Sequence, residues 1–368
     1  MTRSRTILVW AAFFLGLLLI LVYWKNATTS LNPYQASARR EIEKAGTLER
    51  FLPVRDTIRL RVPEEVVVDV LPKAAFFSGG FVLFNPMART IVLVSKSGDF
   101  IRTIGGPGAG PGKFRSLNVG AVDIHDNIYT LDNVLGQLTV FSTQGEVLRC
   151  FRIENAQFVR HLCVNSRGDI YLHHAPDSTF SGFVSIYRSD RFQKCVVPPI
   201  GGYEAYYFHG YLDGRIALLR SATVLECNSF TPKISRIDPG DGVTAFGENV
   251  DGYRPLPHSP HFPDMEHVLD AARQATVIRG LFIADMNRLV LLESARYDPP
   301  VGGTKRVMQI YDTTGTFLGE LKIDTITPEV SDGERLLRIY NPPPVPGMNE
   351  REIRVPQIVL YSVGLWNR

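Results

Sequence analysis

Three histidines, His258, His261 and His267, stand close together beside Asp264 and Glu266. A His-x2-His pair with a third His after five intervening residues, and carboxylates next to it, is a donor set that suits Zn²⁺. The surrounding stretch, Asp251 to Gln274, is proline-rich, which stiffens its backbone. The competing reading is three solvated surface histidines. A second set is scattered along the chain: Asn118, Arg160, Tyr206 and Arg279, with His161 and His209 near two of them. Arginine holds carboxylate or phosphate through paired N–H donors, so this set would bind an anionic group. The plainer reading is arginines that satisfy carbonyls at strand ends. A third stretch, Gly105 to Lys113, invites a phosphate-loop reading and fails it. Pro107 stands where that loop needs its first Gly, and Phe114 follows Lys113 where Ser or Thr is required.

Such dispersed residues act together only if a scaffold gathers them, and the sequence spells one out. Apolar runs recur at Phe81–Phe84, Ile128–Leu131, Ile170–His173, Ile216–Leu219, Leu289–Leu292 and Leu336–Ile339. Their starts differ by 47, 42, 46, 73 and 47 positions, a blade-like period with one long insertion. Polar turns precede most of them, as at Gly79-Gly80, Asp126-Asn127 and Asp213-Gly214. Gly, Asn and Asp belong there because they tolerate positive φ. We read these runs as the second strands of six four-stranded sheets, with a third strand after each. The sixth copy lacks an outer strand. The alternating segment Asp56 to Val62 is expected to supply it and close the ring, hiding two sheet edges.

This reading generates the anion-binding set. Ten residues before each second strand lie Leu71, Asn118, Arg160, Tyr206, Arg279 and Ile326. Six residues before lie Ala75, Val122, Val164, Gly210, Ile283 and Val330, small or apolar and expected to be buried between blades. In a radial array the innermost strands line the axis, and loops at one face meet ligands. The first set should form a mildly cationic mouth.

The stretch Gly105 to Phe151 resembles an NHL repeat: Gly-Lys-Phe at 112–114, Ala-Val-Asp at 121–123, Asp-Asn-Ile-Tyr at 126–129, Asp132-Asn133, then Val140-Phe141 and a Gly turn. Residues 51–368 as a whole resemble an all-β, six-bladed propeller of the NHL type, with an insertion at about 245–275. The fourth and sixth copies keep the spacing and lose the Asp-Asn ends. Six-bladed propeller enzymes often carry Ca²⁺ on Asn, Asp and Glu of the inner strands, or Zn²⁺ on His. The inner positions mapped above supply one Asn and no carboxylate, so the resemblance implies a metal only for an enzymatic alternative, a hydrolase, lactonase or lyase. No cofactor is otherwise expected.

Residues 7–24 carry no charge and are long enough to span a hydrocarbon core as a helix. Trp10, Tyr23 and Trp24 suit its interfaces, and Val22-Tyr23-Trp24-Lys25 is a poor signal-cleavage site. The expected plan is a short cytoplasmic tail (1–6), a signal-anchor helix (7–24), a polar stalk (25–50) and an extracytoplasmic propeller (51–368), periplasmic or extracellular. With 40 basic and 37 acidic residues the chain is nearly balanced, which argues against nucleic acid as a partner. Cys150, Cys163, Cys195 and Cys227 form no CxxC pair and read as small buried hydrophobes or as inter-blade disulfides. With no nucleophile–base pair standing out, the expected function is a binding or scaffold module for a protein, peptide or glycan.

Overall fold

A computed structural model gives residues 31–68, 73–174, 182–198, 214–219, 222–229, 231–247, 253–256, 265–298, 303–325, 328–340 and 356–363. They form six four-stranded antiparallel sheets. From blade one to blade six the inner strands are Lys73–Phe77, Leu117–Val122, Val159–Val164, Arg215–Leu218, Thr276–Ala284 and Val330–Ser331. Each inner strand contacts the inner strands of both neighbours, and blade six returns to blade one. The sheets are therefore blades about a central channel. Second and third strands are packed on both faces: all of Gly80–Asn85 and all of Ile128–Asp132 are buried. Outer strands are more exposed: Phe100–Gly105 has three exposed residues, Ile101, Arg102 and Thr103.

The ring closes as expected, with a small shift. The closing strand is Val54–Arg59, antiparallel to Gln357–Tyr361, with Ile58 opposite Ile358. Arg61, included in the expected strand, instead crosses to blade one. Its N–H donates to Gly98 O at 2.8 Å, and its guanidinium meets Asp99 at 2.6 Å. Gly98 lies at φ 87°, and a Cβ there would fall 2.4 Å from Arg59 O, so the crossing requires glycine.

Recurrent polar turns hold the blades in shape. Asp123 accepts from the backbone N–H groups of His125 and Asn127 and from Tyr129 OH. Asn165 takes the same place in blade three, accepting from the N–H groups of Arg167 and Asp169 and donating to Tyr171 OH. Asp132 accepts from four backbone N–H groups, those of Arg115, Ser116, Val134 and Leu135. It thereby ties the connection entering blade two to the turn after that blade's second strand.

Blade four departs from the sequence reading. Ile216–Leu219 was expected as a second strand, but Arg215–Leu218 is the inner strand, and the second is Val224–Cys227. Both runs are apolar, and the spacing from blade three fits either.

Residues expected to lie in a polar stalk are, from Pro33 on, packed against the ring. Helix α1 (Pro33–Ala45) starts at an Asn32–Gln35 capping box and ends at Gly46 with φ 70°. Helix α2 (Leu48–Phe51) follows. Ala38, Ile42, Leu48 and Phe51 join a core built from blades five and six. Tyr34 OH donates to Asp285, Arg39 donates to the carbonyls of Phe317 and Leu318, and Glu49 accepts from the N–H groups of Asp324 and Thr325. The 7–24 segment lies outside the described residues. Among the described residues no helix is long and apolar enough to cross a membrane.

Candidate functional site

Every inner strand begins on one face of the ring, here the upper face, and ends on the other. Among the described residues, the connections between blades also lie on the upper face. Inner-strand pairing there is interrupted in three blades. Register shifts occur between Leu117 and Val119, between Val159 and His161, and between Ile278 and Gly280. The extra residues are Asn118, Arg160 and Arg279. A bulge re-aims its side chain away from the regular alternation, so the ten-residue spacing had located three structurally equivalent bulges. Arg160 and Arg279 both line the channel, whose volume is about 1200 Å³. Arg279 is exposed and Arg160 half-buried.

The other expected site residues fare differently. Tyr206, His209, His258 and His261 lie outside the described residues. In addition, Tyr206 was placed by counting back from the wrong strand of blade four. His267 is exposed on helix α3 (Met265–Gln274). Among the described residues no group of three His, Cys, Asp or Glu side chains is arranged to hold a metal ion. The four cysteines are free thiols. Burial raises the Cys163 thiol to about 12, which leaves it protonated and unreactive at neutral pH.

The structure adds cations that the sequence reading missed. Lys73, Arg215, Arg273 and Arg306 also line the channel. Lys73 Nζ donates to Asn118 O at 2.8 Å, pinning the backbone of one bulge. Arg215 lies nine residues before the true second strand of blade four, as His161 does in blade three. A correct strand assignment there would have exposed it. Arg215 Nη1 lies 2.9 Å from His161 Nε2 and 2.9 Å from Gly214 O. His161 is half-buried and lines the channel. Burial first, then the Arg215 charge, hold its pKa well below the usual histidine value. The ring is therefore neutral, and its Nε2 accepts from the guanidinium.

Behind this pair stands a buried polar step between blades three and four. His173 lies with its ring 6.1 Å from that of His161, stacks on Phe183, and places Nε2 3.5 Å from Glu226 Oε1. Gly214 permits this packing: a Cβ there would fall 2.4 Å from His173 Nε2. Arg273 pairs with Asp270 at 2.9 Å on α3. Arg306 donates Nε and Nη2 to Glu293 Oε1. The acids at the lower end, Asp123 and Asp332, are occupied by their own turns. The upper mouth is thus rich in cationic side chains with donors to offer an anion. The channel wall presents no hydrogen-bonded nucleophile–base pair among the described residues.

Comparison with known proteins agrees at the level of fold. A family model described as a six-bladed beta-propeller, DUF5128, matches residues 39–189, which run from α1 through most of blade three. No curated protein matches the chain in sequence. Among solved structures, a DUF4221-family protein from Bacteroides vulgatus is 11% identical at TM-score 0.61, over 84% of this chain and 97% of its own. A protein from Bacteroides fragilis described as exported is 12% identical at TM-score 0.61, over 86% and 96%. A virginiamycin B lyase from Staphylococcus aureus superposes more loosely, 12% identical at TM-score 0.47 over 77% and 80%, and lends no activity to this chain. Sheets, ring closure and family match lead to one statement: the chain is an all-β propeller of six four-stranded blades, and its amino-terminal part is similar to a six-bladed propeller family.

Proposed function

We propose that this chain is a membrane-tethered, extracytoplasmic binding module, built on NHL-type repeats, that takes an anionic group of a protein, peptide or glycan at the upper mouth of its channel. The observation that carries this reading is the bulge shared by blades two, three and five. In blades three and five it brings Arg160 and Arg279 to one opening, with Lys73, Arg215 and Arg273 beside them. Guanidinium groups around a low-dielectric opening recognise carboxylate or phosphate by charge-assisted hydrogen bonds. The apolar run at 7–24 supports the tether, and Arg3 and Arg5 on its amino-terminal side support an outward-facing ring.

The test is a binding screen with the full-length chain in detergent, using arrays of acidic peptides and uronic-acid glycans. Ligands found on the wild type should bind at least tenfold more weakly to the Arg160→Glu, Arg279→Glu double variant. Unchanged binding in that variant refutes the site. Stoichiometric Ca²⁺ or Zn²⁺ together with hydrolysis or elimination of a bound ligand would instead establish the enzymatic reading.

A further inference from the structure

The channel changes character with depth. Beneath the bulges the inner strands of blades two, three and five descend about four residues, roughly 13 Å at ~3.3 Å per residue. The third level down is a ring of Ala75, Ala121, Cys163, Ala217, Phe282 and Val330, one residue from each blade. All six line the channel, and none carries a charge at neutral pH. The ionisable side chain at the level above this ring is Glu329, whose pKa burial raises towards the neutral form. Cationic charge is therefore concentrated at the rim, above an apolar throat of mostly small residues.

Blade five adds a wall on one side of the rim. Its second and third strands, Leu289–Asp298 and Gly303–Asp312, are ten residues long, where the corresponding strands of blades one to three have five or six. The extra length rises on the upper face and brings Ala295, Thr304 and Arg306 to the channel.

We infer that the channel takes an acidic peptide segment of a partner protein, its carboxylate held at the rim by Arg160 and Arg279 and an adjacent apolar side chain seated in the throat. This rests on the binding-module reading and narrows its partner. A polyanionic glycan would carry its charges into the throat, where desolvation penalises them. A small anion would use the rim alone. An acidic residue beside an aliphatic one uses both levels: the apolar group leaves water for the throat while the carboxylate keeps charged donors.

The experiment uses the full-length chain in detergent and fluorescein-labelled capped hexapeptides. One set places aspartate next to leucine, a second places aspartate next to serine, and a third places serine next to leucine. The aspartate–leucine peptides should bind at least tenfold more tightly than either other set. The Arg160→Glu, Arg279→Glu variant should lose that binding. Ala121→Leu and Ala217→Leu, each checked for an unchanged unfolding transition, fill the throat from two sides. At least one should reduce the leucine preference to less than threefold. Arginine-dependent binding that ignores leucine, or a preference for uronic-acid oligosaccharide over every peptide, overturns the throat inference while the anion site stands. Peptide binding that survives both charge reversals overturns the site and the inference together.

Discussion

Ile58 is the side chain on which ring closure can be tested most directly. It is 6% exposed and joins the core between blades six and one with Phe81, Val94, Leu337 and Ile358. Its Cγ2 lies so near Gly98 that a Cβ on that glycine would sit 2.7 Å away. Ile58→Ala removes three carbon groups, a transfer loss of about 2.4 kcal/mol at ~0.8 per group. The cavity left behind brings the expected cost to about 3–4 kcal/mol, inside the range for such truncations. Val54, at the start of the same strand, is 51% exposed. Val54→Ala should change stability by less than about 0.5 kcal/mol. Urea unfolding of the full-length chain in mild detergent, followed by circular dichroism at β-sheet wavelengths, measures both. The midpoint for Ile58→Ala should fall with an unchanged slope. A loss below about 0.5 kcal/mol, indistinguishable from the Val54 control, refutes the claim that this strand closes the ring.

Two further outcomes follow from buried polar groups. His161 is held neutral in the native state but titrates near 6.5 when unfolded, so the unfolded chain takes up a proton that the native ring refuses. Its contribution to stability is therefore constant above about pH 6.5 and falls as pH drops below that value. His161→Gln should flatten the stability profile between about pH 6.5 and 5, and equal slopes in the two proteins would contradict the assignment. Gln309 is fully buried, and neither of its amide atoms has a hydrogen-bond partner among the described residues. Gln309→Leu should raise stability by about 1–3 kcal/mol in the same urea assay, because an unsatisfied buried amide carries a desolvation penalty of that order. A destabilised variant would show that the amide is satisfied in solution.

Much of the wheel was readable from spacing, because each blade buries both faces of its middle strands and so writes apolar runs at a regular interval. The Asp-Asn and Gly turns marked where those runs begin. The ten-residue offset found Asn118, Arg160 and Arg279 because the hairpin geometry after the inner strand nearly repeats, bulge included. It failed in blade four, where the inner strand Arg215–Leu218 is as apolar as the second, and no polar turn of the usual kind separates them. Arg215 was lost with that error. The contact of Arg215 with His161 joins residues 54 positions apart, and that of His173 with Glu226 crosses between blades. No local pattern announces either pair, since both arise from the angle at which one blade meets the next.

The docking of α1 and α2 against blades five and six bears on how the molecule carries load. The closing strand begins three residues after α2 ends, so any tug from the amino-terminal direction would otherwise arrive at the seam and peel it open one pair at a time. Tyr34, Arg39 and Glu49, with the apolar face of Ala38 and Ile42, grip the outer side of blade five first. Force is then spread sideways over two blades in shear, and the wheel stays shut while the clasp holds.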